Sequence, residues 1–369
     1  MLLGAVLGTA EAQTSSINVV TSAVPFLRIS PDARSGGMGD AGIATSPDAN
    51  SNFWNIAKTP FNTHKAGVAV SYTPWLNDLG LNDVYLAALA GYYKLDDRQA
   101  LSASLRYFSL GSIQFTDENA LPLEVFRPRE FAFDLGYSRK LSNKFSLGIA
   151  LRYISSDLTG RSNFSGVTYK KGTAVAGDLH LYHNGSKENG QGFNWGLTLS
   201  NLGSKISYTS DANQKDFIPA NLGIGGAYTK VFDADSKLTF ALDLNKLLVP
   251  TPAAIGDSAG LADYRSKGVV SSWFSSFGDA PDGGSEEIKE VSASIGAEYF
   301  YKNQFGFRAG YFYENKDKGN RRYFTLGATV KYNVVGLNFS YLLPTGSGVN
   351  RNPLSNTLRF SLLFDLGGK

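Results

Sequence analysis

From about residue 64 to its last residues, the chain alternates apolar with small or polar side chains in fourteen separate stretches, joined by connections that run short, then long, then short. Phe145, Leu147, Ile149, Leu151 and Tyr153 interleave with Ser146, Gly148, Ala150, Arg152 and Ile154. Leu238, Phe240, Leu242 and Leu244 interleave with Thr239, Ala241, Asp243 and Asn245. Leu358, Phe360, Leu362 and Phe364 interleave with Arg359, Ser361, Leu363 and Asp365. A strand sends successive side chains to opposite faces, so each stretch has one apolar side and one small or polar side. The stretches are about 9–14 residues long, enough for a tilted strand to cross a bilayer core.

A soluble sandwich alternates too, but three features point to a membrane barrel. The polar face is mostly Gly, Ser, Ala and Thr with single charges, where a solvated sheet would carry many more Lys and Glu. Tight turns at Asp96-Asp97, Ser142-Asn143, 233–235, Lys302-Asn303 and Asn333 alternate with longer loops at 111–128, 158–172, 204–217, 248–286 and 344–354. This is the short-periplasmic, long-outer rule of outer-membrane barrels. Tyrosines gather near strand ends (Tyr107, Tyr137, Tyr153, Tyr228, Tyr299, Tyr313, Tyr332, Tyr341), as in an interfacial girdle. The reading is an all-β fold, a transmembrane antiparallel β-barrel of 14 strands. They are expected near 64–74, 82–94, 98–110, 129–140, 144–157, 173–184, 191–203, 218–232, 236–247, 287–301, 304–315, 321–332, 334–343 and 355–367.

A net charge of +3 is too small to imply a nucleic-acid partner, and no nucleic-acid motif appears. The absence of Cys removes disulfides and thiolate chemistry. Residues 1–12 end in Ala10-Glu11-Ala12 after an apolar run and read as the remnant of a signal peptide, without its basic start. Residues 13–62 do not alternate. They hold the Gly-rich run at 35–42, which reads as flexible, and a capped turn at 48–55. This segment is expected to act as a plug inside or under the barrel of residues 63–369.

The inward charges nearly balance. Arg106, Asp134 and Arg152 fall on three successive strands, and Asp243, Glu298 and Arg308 on another three, which predicts cross-strand ion pairs in the lumen. The functional alternative is a charged solute pathway; interleaved signs favour the structural reading. In the longest loop, 248–286, Val269, Val270, Trp273, Phe274 and Phe277 share one helical stripe over 268–277. Exposed Trp and Phe are costly unless they pack or bind. Either the helix folds back over the barrel mouth, or it is a partner-binding element.

Catalytic and metal signals are weak, and no cofactor motif is present. Gly256-Asp257-Ser258-Ala259-Gly260 matches a nucleophile elbow by spacing, but it lies in a loop and all three histidines (His64, His180, His183) precede it. His180 and His183 point to opposite faces of a strand and cannot share a metal. Asp279, Asp282 and Glu286 could hold calcium loosely, though acidic turns are more often plain loop.

Several stretches carry a resemblance: FLRISPDARSGGMGDAG at 26–42, DANSNFWNIA at 48–57, SFGDAP at 276–281, GAEYFY at 296–301, FRAGYFYE at 307–314, GNRRYFTLG at 319–327 and NPLSNTLRF at 352–360. On these the chain resembles the FadL-like outer-membrane barrels, and most closely the PorV family of the type IX secretion system. Ile56 departs from the wider group, where Pro is usual. The resemblance implies a 14-stranded outer-membrane barrel with a non-enzymatic role. Such proteins work with the SprA/Sov translocon, bind the C-terminal domains of secreted cargo, and carry cargo to an attachment complex. That complex holds a PorU-type sortase, which joins the cargo to lipopolysaccharide. The family has also been linked to lipid A deacylation, for which no nucleophile–base pair stands out here. The alternative is a FadL-like transporter of hydrophobic small molecules, which needs an apolar lumen pocket and a lateral exit.

Overall fold

In the computed structural model, the described residues are 19–76, 80–116, 119–160, 163–164, 167–211, 214–253, 256–345 and 356–367. The signal-peptide reading at 1–12 lies outside them. Fourteen antiparallel strands close into one barrel. They are β1 (Ala66–Pro74), β2 (Val84–Lys94), β3 (Gln99–Leu110), β4 (Arg129–Lys140), β5 (Phe145–Asp157), β6 (Gly172–His183), β7 (Gly192–Gly203), β8 (Asn221–Val231), β9 (Ser236–Leu247), β10 (Ser292–Tyr301), β11 (Phe305–Tyr313), β12 (Arg322–Tyr332), β13 (Val335–Pro344) and β14 (Leu358–Leu366). β1 pairs with β14 to complete the ring, from Ala66 against Leu366 to Tyr72 against Phe360. Closure removes every unpaired edge, which a bilayer requires because lipid cannot satisfy backbone groups.

The face assignment follows from the alternation. Leu147, Ile149 and Leu151 are exposed on the outer wall, while Ser146, Arg152 and Ile154 are buried. Connections at one end are tight; Lys302 and Asn303 both take positive φ, the geometry that suits a two-residue hairpin turn. Connections at the other end are long, and 248–291 folds into α2 (Ser258–Ser266), α3 (Val269–Ser275) and α4 (Gly284–Lys289). The long-loop end is the outer end of such a barrel. β10 begins at Ser292 rather than near 287, because Gly284–Lys289 is helical.

Residues 25–62 fill the lumen. 3-10 turns at Ala49–Phe53 and Ile56–Phe61 and the short helix α1 (Ala33–Gly36) are almost wholly buried, and the turn at Pro25–Arg28 buries Phe26 and Leu27. Asp32 caps α1 through Ser35 N–H and accepts from Trp54 Nε1 at 2.6 Å. Asp48 closes a capping box with Ser51. The Gly-rich run, expected to be loose, is packed closely against the wall. Gly39 sits at φ 67°, and a Cβ there would meet the Tyr311 backbone at 2.6 Å; a Cβ on Gly310 would meet Gly39 N at 2.2 Å. Glycine lets the plug backbone lie directly on the wall.

Candidate functional site

Two regions carry chemistry: the seam between plug and wall, and the outer loop 248–291. At the seam, Arg34 donates through Nε and Nη2 to the two carboxylate oxygens of Glu298, at 2.9 and 2.8 Å, and through Nη1 to Asp48 at 2.8 Å. Glu298 also accepts from Arg308 Nε at 2.6 Å across β10–β11. The strand pair Glu298–Arg308 is therefore one half of a network whose other half is the plug. Asp134 and Arg152 form a buried ion pair, and Arg152 reaches on to Asp178 at 2.9 Å.

Arg106 and Asp243 correct the expectation of cross-strand pairs. Neither forms an ion pair among the described residues. Arg106 donates to the Leu27 carbonyl at 2.9 Å and lies over the Phe53 ring at 5.0 Å. Asp243 accepts from the N–H groups of Gly42 and Ile43 at 2.7 and 2.8 Å. Both partners belong to the plug, whose path a strand pattern does not reveal.

Sequence reasoning missed the plug's own polar residues, which carry no periodicity to betray them. Asp40 accepts from Tyr323 Oη at 2.7 Å and pairs with Arg359 at 3.3 Å. Lys58 donates to the Gly42 carbonyl at 2.6 Å and to Thr45 Oγ1 at 3.1 Å. Burial pushes its ammonium down to about 8, against the pull of Asp48 and Asp243. Asn52 Nδ2 donates to two wall carbonyls, Gly91 and Ala103, each at 2.8 Å. Strands on several sides of the lumen are thus fastened to the plug.

The outer loop is clasped at its margins. Lys318 donates to Glu286 at 2.5 Å and Glu290 at 3.0 Å; Lys246 donates to Glu287 at 2.8 Å and Glu290 at 2.6 Å. Burial alone would raise Glu286, but hydrogen bonds from Lys318 and the Asp282 N–H hold it below its usual range. Lys205 tethers the end of α2 through the carbonyls of Arg265 and Lys267. Tyr264 of α2 is buried with Val20, Phe217, Leu247 and Val249, and Val269 packs on that cluster.

Between these clasps the expected stripe divides. Val269 and Trp273 are half-buried, while Val270, Phe274 and Phe277 are 59 %, 74 % and 50 % exposed. The helix ends at Ser275, so Phe277 follows in a turn. Ser272 and Ser276 form the buried face. A lid would bury its aromatics; this helix buries serines and turns Phe274 outward.

The weak motifs find structural uses. Asp257 caps α2 by accepting from Gly260 N–H at 2.8 Å, which places Ser258 in the first turn of a surface helix. Asp279 accepts from Thr251 N–H and Oγ1, and Glu286 belongs to the clasp. His180 is buried toward the lumen, while His183 stacks on Trp195 on the outer wall. Among the described residues no cluster could hold a metal.

The family model for the type IX secretion system protein PorV matches residues 11–254. The chain belongs to the PorV family. It is therefore an integral outer-membrane protein of the type IX secretion system. A search of curated proteins returns no match. Among solved structures, the toluene transporter TbuX of Ralstonia pickettii is similar with TM-score 0.55 and 11% identity, over 92% of this chain and 98% of that one. A deletion mutant of the monoaromatic hydrocarbon channel TodX gives 0.51 and 14%, over 90% and 96%; the channel CymD gives 0.50 and 12%, over 90% and 95%. At such identities the likeness is one of fold, the FadL-like 14-stranded barrel.

Proposed function

We propose that this PorV-family barrel binds the C-terminal domain of exported cargo at the cell surface, associates with the SprA/Sov translocon, and shuttles cargo to the attachment complex that holds the PorU-type sortase. Handing cargo to that sortase at the outer leaflet would bring the barrel beside lipopolysaccharide. The observation that carries this reading is the outward patch of Val270, Phe274 and Phe277, with Trp273 behind it, on a loop clasped by ion pairs. Exposed aromatics on a rigid support make good anchors, because they bury much area at little entropy cost. A loop that is already ordered spends less of that gain on becoming ordered.

The alternative, a transporter of hydrophobic small molecules, needs an apolar path through the lumen. Here the cavity above the plug, about 150 Å³, mixes Arg28, Arg106, Glu314 and Arg321 with apolar Ile29, Phe53 and Leu247. Charged groups in this mixed lining, over a latched plug, weigh against an apolar solute. The test is Phe274→Ala with Phe277→Ala. The double variant should still assemble as a heat-modifiable barrel, yet lose co-purification with the translocon and block cargo secretion. Normal secretion and undiminished co-purification would overturn the reading. Uptake of an aromatic hydrocarbon dependent on this barrel would favour the alternative.

A further inference from the structure

The lipid-facing wall carries a depression that the secretion reading does not use. Gly91 and Ala103 face each other across β2–β3. Around them stand Val68, Leu89, Leu105 and Phe133, and together they line an apolar groove of about 630 Å³. The strands behind it are tied inward, since Asn52 of the plug draws on the carbonyls of Gly91 and Ala103 themselves. The groove lies close to the periplasmic ends of the strands, where β2 stops at Lys94 and β3 begins at Gln99.

The rim at that end is basic. Lys65 Nζ sits 5.3 Å from the ring of Tyr93, a residue of the groove wall. Arg139 is exposed at the periplasmic end of β4, opposite Gln99. No salt bridge among the described residues engages either cation. The neighbouring carboxylate, Asp96, accepts the N–H groups of Arg98 and Gln99 in its own turn and also feels the charge of Arg139, without a salt bridge to it. An apolar trough ending in two cations outside any salt bridge, Lys65 over the Tyr93 ring and Arg139 near Asp96, is complementary to one amphiphile of the adjacent leaflet. Basic residues at a membrane surface attract anionic headgroups, and a shaped apolar trough adds chain contacts to that attraction.

We propose that this groove is a binding site for one anionic glycerophospholipid of the periplasmic leaflet, with an acyl chain along Gly91 and Ala103 and its phosphate at Lys65 and Arg139. The full-length barrel, extracted in mild detergent, is offered phosphatidylglycerol and phosphatidylethanolamine of identical chains and examined by native mass spectrometry. The wild type should retain one phosphatidylglycerol in preference to phosphatidylethanolamine. Lys65→Glu with Arg139→Glu should lower that retention by roughly tenfold or more. Ala103→Phe, which fills the trough from the lipid side, should abolish retention of both. Lys230→Glu with Lys302→Glu, elsewhere on the same rim, should leave it unchanged.

Equal retention of the two lipids by the wild type would overturn the proposal. So would equal loss in the Lys230/Lys302 control, which would reduce the effect to general surface charge. An Ala103→Phe barrel that keeps its lipid but sheds a co-purifying membrane protein would make this face a seam between proteins, and the proposal would fail.

Discussion

Residues 25–62 and residues 248–291 have much in common. Neither alternates, both fold into short helices and turns, and both are fastened to the barrel by ion pairs. They differ in where their apolar side chains go. Phe26, Met38, Ile43 and Ile56 of the lumen segment are buried against the wall. The outer loop buries Tyr264 and Ser272 but leaves Val270, Phe274, Phe277 and Ile288 exposed. The first segment is finished by its contacts with its own barrel, whereas the second is anchored but leaves a face unsatisfied. Similar clasps therefore have different outcomes: in the lumen they close a structure, and on the loop they hold in place a patch that stays exposed.

The largest expected effect tests the closed half of that contrast. Arg34→Ala strands Asp48 in the lumen and leaves Glu298 with Arg308 alone, and breaking one partner of a buried pair costs about 3–5 kcal/mol. Arg265→Ala, which removes a half-exposed pair with Asp216, should cost under about 1 kcal/mol. Urea refolding into detergent micelles, followed on heat-modified gels, measures both. Equal losses would erase the distinction between seam and loop. Arg152→Ala belongs with the first group, since it leaves Asp134 and Asp178 unpaired, again at about 3–5 kcal/mol.

Sidedness comes next and is all-or-none in sign. A cysteine at Ser258 should react with an impermeant thiol reagent on intact cells, while one at Ala234, in the β8–β9 turn, should not. The reverse pattern would put the exposed patch in the periplasm and remove its role at the cell surface.

A smaller effect separates the two regions by pH. Glu286 and Glu287 are both held below the ordinary 4.5 by Lys318, Lys246 and backbone N–H groups, against burial. A depressed carboxylate stabilises at pH values above its unfolded pKa, and that stability is lost as pH falls through its folded value. The clasp should be intact at and above pH 5 and loosen below 4.5. Hydrogen exchange should rise in 280–290 on acidification, while amides of 33–43 in the plug stay protected. Simultaneous opening of both would mean the loop and plug form one cooperative unit.

The contrast also marks where the sequence could be read. All fourteen strands were legible, because a wall between lipid and lumen forces a period of two on every spanning residue. The start of β10 is not readable because the polar stretch at 284–290 is a clasp helix whose partners, Lys246 at the end of β9 and Lys318 in the loop after β11, lie far away in sequence. Asp134 with Arg152 and Glu298 with Arg308 were legible because neighbouring strands fix their register. Arg106 and Asp243 were not, because their partners are the Leu27 carbonyl and the Gly42 and Ile43 amides, backbone groups of a segment without periodicity. The capped turn at Asp48 was readable from local chemistry; the latch from Arg34 to Glu298, 264 positions apart, was not.

The smallest effect is the most pointed. Phe274 is 74 % exposed, and its helix rests on Ser272 and Ser276, so Phe274→Ala should change barrel stability by no more than about 0.5 kcal/mol in either direction. Met38→Ala, in the plug, removes a fully buried side chain and should cost about 2–5 kcal/mol. Measured side by side in the same refolding experiment, the two values ask whether the patch is structural. A loss of more than 1 kcal/mol at Phe274 would mean that the aromatic packs on its own barrel in the membrane, and the loop would then be a lid like the plug beneath it. A neutral Phe274→Ala that nonetheless weakens capture of the secretion partners would place the value of that side chain entirely in binding.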